Sequence, residues 1–386
     1  MTGRVVSKRI FGGIGFITVE SEDTTTQYVS DKQELISQLK QLKLGTLLKI
    51  FSEETNERGK AIIKSLEIDL VPVGNFLKHD KIVEKEVRYK QRALAFATNI
   101  DERRILIDRS KIVKSVRASL DNFYDVETPV LQEHYGGAYA KPFITHSNYN
   151  DKRYYLRICH EFFLKKAVIA GLNRVYHIGP VFRNEDLDAT HSFEYCALEA
   201  YERGGDYTTM IALTEKIVAN AGASVGIATI GTQNLSQPWR RISYEEIIQK
   251  INPETTAVRQ RLDLVEKYLK AQYANDCVHL VEIPAEIMPL AKDNGNGLAL
   301  YADSYIQGVE IATMYSEEND VTKLRTKWQK NLNLNYEEQS LVNEDFIKDL
   351  EIGMPTCGGL GIGIDRLVRA ILQKHSIRDA QAFPLI

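Results

Sequence analysis

Along the first 70 residues, apolar and polar positions alternate in short bursts. Arg4–Lys8, Gly15–Glu20 and Leu47–Phe51 have strand composition, with Gly12-Gly13 as a turn. Lys32–Leu42 instead places Leu35, Ile36, Leu39 and Leu42 at helical spacing, and Ala61–Ile68 reads as a last strand after Arg58-Gly59. Short strands with one helix between them predict a small five-stranded barrel of the OB type. On such a barrel Phe16 is either a base-stacking aromatic or a core residue.

Val71–Gly74 reads as a linker, and the pattern changes after it. Arg88–Ala97 is helical. Ile105–Phe123 repeats Leu106, Ile112, Val113, Val116, Leu120 and Phe123 at helical spacing, then breaks into the extended stretch Tyr124–Val130. The apolar face of so long a helix must be buried, in the core or against another subunit. A strand at Tyr154–Ile158, a helix at His160–Ala170 and a helix at Asp206–Ala221 follow. Val281–Lys292 and Gly297–Tyr315 read as strands around the Asp293–Gly297 turn, and Asn319–Gln329 as a polar surface helix.

Two stretches carry unusual chemistry. The apolar runs Val175–Phe182 and Glu194–Tyr201 predict strands joined by an acidic loop, with Arg183 and Glu185 at the loop mouth. Charges on half-buried strands are costly unless they are paired or bind something charged. An Arg at a strand end suits a phosphate, because its planar fork offers two parallel donors. Carboxylates on the return strand, Glu194 and Glu199, suit a cation. The second stretch is Gly358–Arg366, a glycine-rich strand ending in Asp365-Arg366 before an apolar-periodic helix. It lacks the Gly-Lys-Ser/Thr ending of a phosphate loop. Glycine here keeps a strand flat and open to a ligand, and the loop Gly136-Gly137 does the same for backbone approach.

Composition narrows the setting. A chain of 386 residues suffices for two domains, and 44% apolar with 26% charged residues is ordinary for a globular protein. The net charge of −3 excludes a strongly basic nucleic-acid footprint, though not a local one. The four cysteines lie far apart with no Cys-x-x-Cys pair, so neither a zinc site nor a disulfide framework is indicated. No run reaches the roughly 18 apolar residues of a membrane helix, and the N-terminus lacks a signal-peptide core. The expected location is cytoplasmic.

The Arg-bearing hairpin together with the glycine strand ending in Asp-Arg resembles motifs 2 and 3 of the class II aminoacyl-tRNA synthetases. Pro142–His146 and Leu198–Tyr201 most resemble the lysyl branch of that class. The resemblance runs over nearly the whole chain. It implies an α+β fold, with an antiparallel-sheet catalytic domain at 73–386 after an OB-type anticodon-binding-like barrel at 1–72. It also implies ATP with Mg²⁺, lysine and lysine tRNA as ligands. The helix and Pro129 stretch resemble motif 1, which implies a homodimer.

The resemblance also assigns residues. Arg183 bridges the amino-acid carboxylate and the α-phosphate, and Arg366 packs on adenine and reaches the distal phosphates. Glu185 and Tyr195 hold the adenine, and His191 sits near the terminal phosphate, with Ser192 and Gly363 also at the ATP site. Asp303 and Glu310 are the metal carboxylates. Glu161 takes the α-ammonium, with Gly137 beside it. Glu199, Tyr201 and Glu317 take the distal ammonium of lysine. Phe16, Gln27 and Lys60 face the anticodon. Four positions depart from the family pattern. Thr190 replaces an Arg, Ser192 an Asn, and Thr313 the Asn that helps hold the substrate carboxylate. Lys60 replaces a Glu that reads a base. The resemblance leaves open a paralogue that transfers lysine, or an analogue, to another acceptor.

Overall fold

The computed structural model describes residues 1–55, 61–73, 84–332 and 344–385. They form two compact units, chiefly Met1–Asp108 with Ala382–Pro384, and Arg109–Gln381.

In the first unit the alternating stretches close into a barrel of strands Thr2–Phe11, Ile14–Glu20, Thr25–Ser30, Ala61–Leu70 and Leu47–Thr55, in that neighbour order. The helix Gln33–Gln41 lays Leu35 and Leu39 on the inward row Val5, Ile17, Val19, Leu48, Ile50 and Ile63. Lys8 Nζ donates to the carbonyls of Lys40 (2.7 Å) and Leu42. These are the acceptors left over at a helix C-terminus. Phe16 alternates with buried Ile17 and is half-buried, outside the barrel core. It pairs with Val29 while Thr18 pairs with Gln27, so Phe16 and exposed Gln27 share the outer face of the β-hairpin. Lys60 and the Arg58-Gly59 turn lie outside the described residues.

The second unit is built on an eight-stranded sheet. Its strand order is Arg240–Ser243, Cys277–Val281, Tyr301–Ile306, Val309–Ser316, Cys357–Gly363, Glu194–Arg203, Arg174–Phe182 and Tyr124–Asp125. Only the two edge pairs are parallel. One face is apolar. Leu198, Ala200, Ala302, Ala312, Met314, Leu360 and Ile362 meet Ile112, Val116, Met210, Ile217, Leu367 and Ile371 from three helices. Those helices are Ile100–Ala118, Tyr207–Ala223 and Ile364–Ile371. The other face, offset by one residue along each strand, carries the polar and glycine positions.

The helix read at Ile105–Phe123 runs Ile100–Ala118, and Ile112, Val116 and Leu120 bury its apolar face in the chain's own core. The extended stretch Tyr124–Val130 contributes only Tyr124–Asp125 to the sheet. Gly297–Tyr315 is a hairpin of two strands, turning at Gln307-Gly308 with φ of 51° and 71°. Those positive φ values fit a two-residue hairpin turn, for which Gln-Gly is a weaker signal than Asn-Gly. The strand at Cys277–Val281 is buried throughout, so it shows no alternation, and it ends where a strand was read to start. All four cysteines are free, and three are buried. Among the described residues no helix is long and apolar enough to cross a membrane.

Candidate active site

Cross-strand register collects the candidate residues into rows on the open face. Glu199 pairs with Gly361, Gly361 with Thr313, and Thr313 with Asp303. The next row is Tyr201, Gly359, Tyr315 and Tyr301. Above them a third row holds Ala197 and Gly363. A period of two along four strands thus brings residues from 197 to 363 to one surface.

A cavity of about 400 Å³ opens on this face, within the range of ligand pockets. It is lined by Arg183, Glu185, His191, Ser192, Tyr195, Glu310, Gly363 and Arg366, the residues assigned to ATP, and also by Glu199 and Thr313. The hairpin loop that carries them is closed by Arg183 N donating to Phe193 O at 2.8 Å. The Arg183 guanidinium lies over the Tyr195 ring at 5.5 Å, and its buried Nε has no hydrogen-bond partner among the described residues. A buried donor without an acceptor is costly, and an anion in the cavity would relieve it.

Arg366 closes the opposite wall. It donates to Thr190 O (3.2 Å), Glu310 O (3.1 Å) and Glu310 Oε1 (3.3 Å). Its third nitrogen lies 3.1 Å from His191 Nε2. A guanidinium can only donate, so Nε2 accepts and Nδ1 carries the proton that faces Asp188 Oδ2 at 2.9 Å. Although burial pushes the Asp188 carboxyl up, the Thr190 N–H and the His191 ring outweigh it and hold the acid low. Glu185 Oε1 accepts from Lys141 N at 3.0 Å, which fixes it at the loop mouth.

Asp303 stands outside the cavity lining. Its Oδ1 accepts from Tyr301 Oη (2.6 Å) and Thr313 Oγ1 (2.7 Å). The Thr313 hydroxyl, assigned to the substrate carboxylate, is therefore turned to Asp303. Burial, then the charge of Glu310, push the Asp303 carboxyl well above the usual carboxylate range. A buried carboxylate facing a second, partly exposed one is a donor set a hard divalent cation would relieve. A group of three or more possible metal ligands is absent among the described residues. A cation held by Asp303 and Glu310 would complete its shell from phosphate oxygens and water.

The candidate lysine pocket lies one row deeper. Glu199 Oε1 accepts from the His160 backbone N–H at 2.9 Å, and Tyr201 Oη lies 3.4 Å from Oε2. Burial raises the Glu199 carboxyl to about 7, with the His160 N–H pulling it down and Glu161 pushing it up. Glu317 is fully buried. Glu161 Oε2 accepts from Tyr315 Oη at 2.9 Å. Gly137, at φ 88°, has no room for a side chain, because a Cβ would lie 2.6 Å from Cys159 Sγ and 3.2 Å from Glu161 Cβ. One residue missed in the sequence reading stands among these acids. Lys165 is buried, its ammonium hydrogen-bonded to Glu161 and 2.5 Å from Glu317 Oε2. The Glu161–Lys165 spacing of four on one helix was the available signal. Tyr315 had no such signal.

A hairpin carrying an arginine at its mouth, a glycine strand ending in Asp-Arg and a carboxylate pair on the intervening hairpin define a class II synthetase catalytic domain. Residues 84–386 match the model of the tRNA synthetases class II (D, K and N), and the chain belongs to that family. It is similar to the protein named lysine--tRNA ligase of Thermoanaerobacter pseudethanolicus, 34% identical over 428 aligned residues that cover all of this chain and 86% of that protein. It is also similar to the lysine--tRNA ligase of Synechococcus sp. (strain CC9311), 34% identical over 431 residues, with all of this chain and 88% of that protein covered. A third, from Clostridium botulinum, is 31% identical over 437 residues and covers all of this chain and 86% of that protein.

Proposed function

We propose that this chain activates lysine with ATP to lysyl-adenylate and transfers it to lysine tRNA. The observation that carries the lysine reading is Glu317. It is a fully buried carboxylate that shares the Lys165 ammonium, 2.5 Å from its Oε2, with Glu161, in a cluster that also holds Glu199 and Tyr201 and so has more acids than this one cation balances. A desolvated acid of this kind favours a ligand cation and penalises any substrate that leaves it unpaired. Aspartate or asparagine would place an anion or a neutral amide there.

The chemistry follows from charge. The carboxylate of the amino acid attacks the α-phosphate, so two anions must meet. Arg183 is assigned to bridge them and Arg366 to hold the distal phosphates, both at the cavity wall. Asp303 and Glu310 would hold Mg²⁺, which supplies charge neutralisation at the phosphates when bound. Lysine-dependent exchange of pyrophosphate into ATP is expected, with little exchange on aspartate or asparagine. Equal exchange with aspartate would refute the pocket assignment.

Transfer to tRNA rests on the 1–72 barrel, where Phe16 and Gln27 share an outer face. Charging of lysine tRNA tests it. Intact lysine activation with no tRNA charged would instead support a paralogue with another acceptor. The turn of the Thr313 hydroxyl to Asp303 is the observation in favour of such divergence.

A homodimer is part of the same reading. The apolar face of the Ile100–Ala118 helix is already buried in the chain, so the surface left for a partner is Tyr124, Val130, Leu131 and Ile144, exposed by 64, 39, 53 and 61%. Sedimentation is expected to give about twice the 43.9 kDa chain mass. Replacing Leu131 and Ile144 with Glu is expected to yield monomers. A wild-type monomer at micromolar concentration that still activates lysine would remove the dimer from the reading.

A further inference from the structure

The cavity ends at Glu199 and Thr313, and what lies behind them is a closed cluster of charge. Glu161, Glu199 and Glu317 are buried together; Lys165 is ion-paired with Glu161 and Glu317, and Arg183 acts on Glu199 from the cavity side. Lys165 is 1% exposed. Its carboxylate partners come from two directions, Glu161 from its own helix and Glu317 from the end of the strand Val309–Ser316. Aromatic rings close the remaining sides, with Tyr201 and Tyr315 each 5.8 Å and Phe346 5.7 Å from Nζ. A cage of this kind holds the ammonium in place and strengthens each charge by excluding water.

We propose that Lys165 determines the specificity of the pocket by supplying one resident positive charge between Glu161 and Glu317, so that, with Arg183 committed to the ligand's carboxylate, three carboxylates are balanced by a ligand bringing two ammonium groups. The inference rests on the lysine reading above and explains how the same acids select a diamino acid. With Lys165 in place, the ionised pocket lacks two positive charges. A ligand with one ammonium leaves one buried acid unpaired, and one with two leaves none, its own carboxylate being matched by Arg183. Without Lys165, Glu161 and Glu317 would face each other uncompensated, and a pair of like charges in a desolvated site keeps a proton.

The acidities of the pocket agree with this geometry. Burial raises the Glu317 carboxyl to about 8, with Lys165 pulling it down and Glu161 pushing it up. Glu199 stands at about 7. The neighbouring Tyr201, Tyr315 and Cys357 are all pushed up, first by burial, and stay neutral, and Arg183 is charged. The acids that ionise on binding are thus Glu199 and Glu317. A dicationic ligand must expel their protons, so affinity for lysine is expected to rise with pH from 6 to 8.

The test is calorimetry of lysine binding to the full chain at pH 6, 7 and 8. Two buffers of different ionisation enthalpy give the number of protons released. Lys165→Met is expected to release more protons than wild type at pH 7, to bind lysine at least tenfold more weakly there, and to recover as pH rises. Lys165→Arg, which keeps the charge, is expected to keep the wild-type proton count. If Lys165→Met does not fold, Glu161→Gln removes the opposite charge of the pair, and its proton release must fall below wild type. A proton count unchanged in the folded neutral variant, or tighter lysine binding in it, overturns the inference and makes Lys165 a structural residue or a competitor. Absence of lysine binding by wild type overturns the lysine reading itself, and this inference with it.

Discussion

Arg183→Ala is expected to slow lysine activation by about 10²–10³-fold, the scale for losing one preorganised donor at a developing negative charge. The side chain sits where the amino-acid carboxylate and the α-phosphate meet in the proposed reaction. Its guanidinium is held over Tyr195, and its Nε is buried without a partner among the described residues. That combination points to a ligand and away from structure, because a structural arginine has its donors satisfied within the chain. Arg157 is the contrast. It is fully buried and donates to Pro180 O (2.7 Å), Thr128 O (2.6 Å) and Thr128 Oγ1 (2.9 Å). Removing Arg183 is therefore expected to leave the melting temperature nearly unchanged and to act on the rate of exchange between pyrophosphate and ATP. Since the interaction strengthens as charge gathers, kcat falls more than KM rises. A loss below about tenfold in exchange would show that Arg183 is not the bridging cation.

Gly359→Ala is the second large effect. A Cβ at this position would fall 1.8 Å from Glu317 Oε1 and 2.9 Å from Tyr201 Cε1. Glu317 is fully buried and Tyr201 nearly so, and neither can retreat into solvent. The carboxylate must be displaced by more than 1 Å, a misplacement that can cost about 10²-fold at an active site. The overpacking itself costs about 1–3 kcal/mol of stability. Gly361→Ala is the matched control on the same strand and the same face. Its nearest neighbour is Glu199 Cγ at 4.0 Å, so a methyl fits. Lysine dependence of the exchange reaction in the two variants, with thermal melts of both, checks the prediction. A KM for lysine in Gly359→Ala unchanged from wild type would mean that Glu317 does not touch the substrate.

The glycine strand was legible as a strand open to a ligand, and the structure sharpens the reason for each position. Gly363 lies beside the Arg366 side chain, its nearest atoms 3.7 Å from a Cβ there. Gly361 faces Glu199, and Gly359 makes room for Glu317 and Tyr201. Gly358, pointing the other way, is pressed on the Asp206 backbone, with a Cβ only 2.8 Å from its carbonyl oxygen. Glycines that looked like one motif thus meet separate surroundings, three of them facing side chains and one facing backbone.

The long helix shows the opposite outcome. Its apolar repeat required burial, and the spacing of Ile112, Val116 and Leu120 marks that face correctly. Whether a partner subunit or the chain's own sheet covers it depends on which surface the sheet offers. Here it lies in one apolar cluster with Met210, Ile217 and Leu367 of the chain itself. Periodicity specifies that a face is hidden and carries no information on what hides it.

The sequence by itself determined the alternation that puts Glu199, Tyr201, Thr313, Gly359, Gly361 and Gly363 on one side of their strands. It also determined the arginine at the hairpin mouth and the Asp-Arg ending of the glycine strand. These are local properties, set by a period of two and by the residue types that bind phosphate. Only the tertiary structure decided the register that lines four strands into rows. It also turned the Thr313 hydroxyl to Asp303 and brought Tyr315 onto Glu161. Above all it placed the Lys165 ammonium between Glu161 and Glu317, residues 156 positions apart in the chain. The physical reason is that the charge state of a buried acid depends on what packs beside it, and packing joins segments that are distant in the chain.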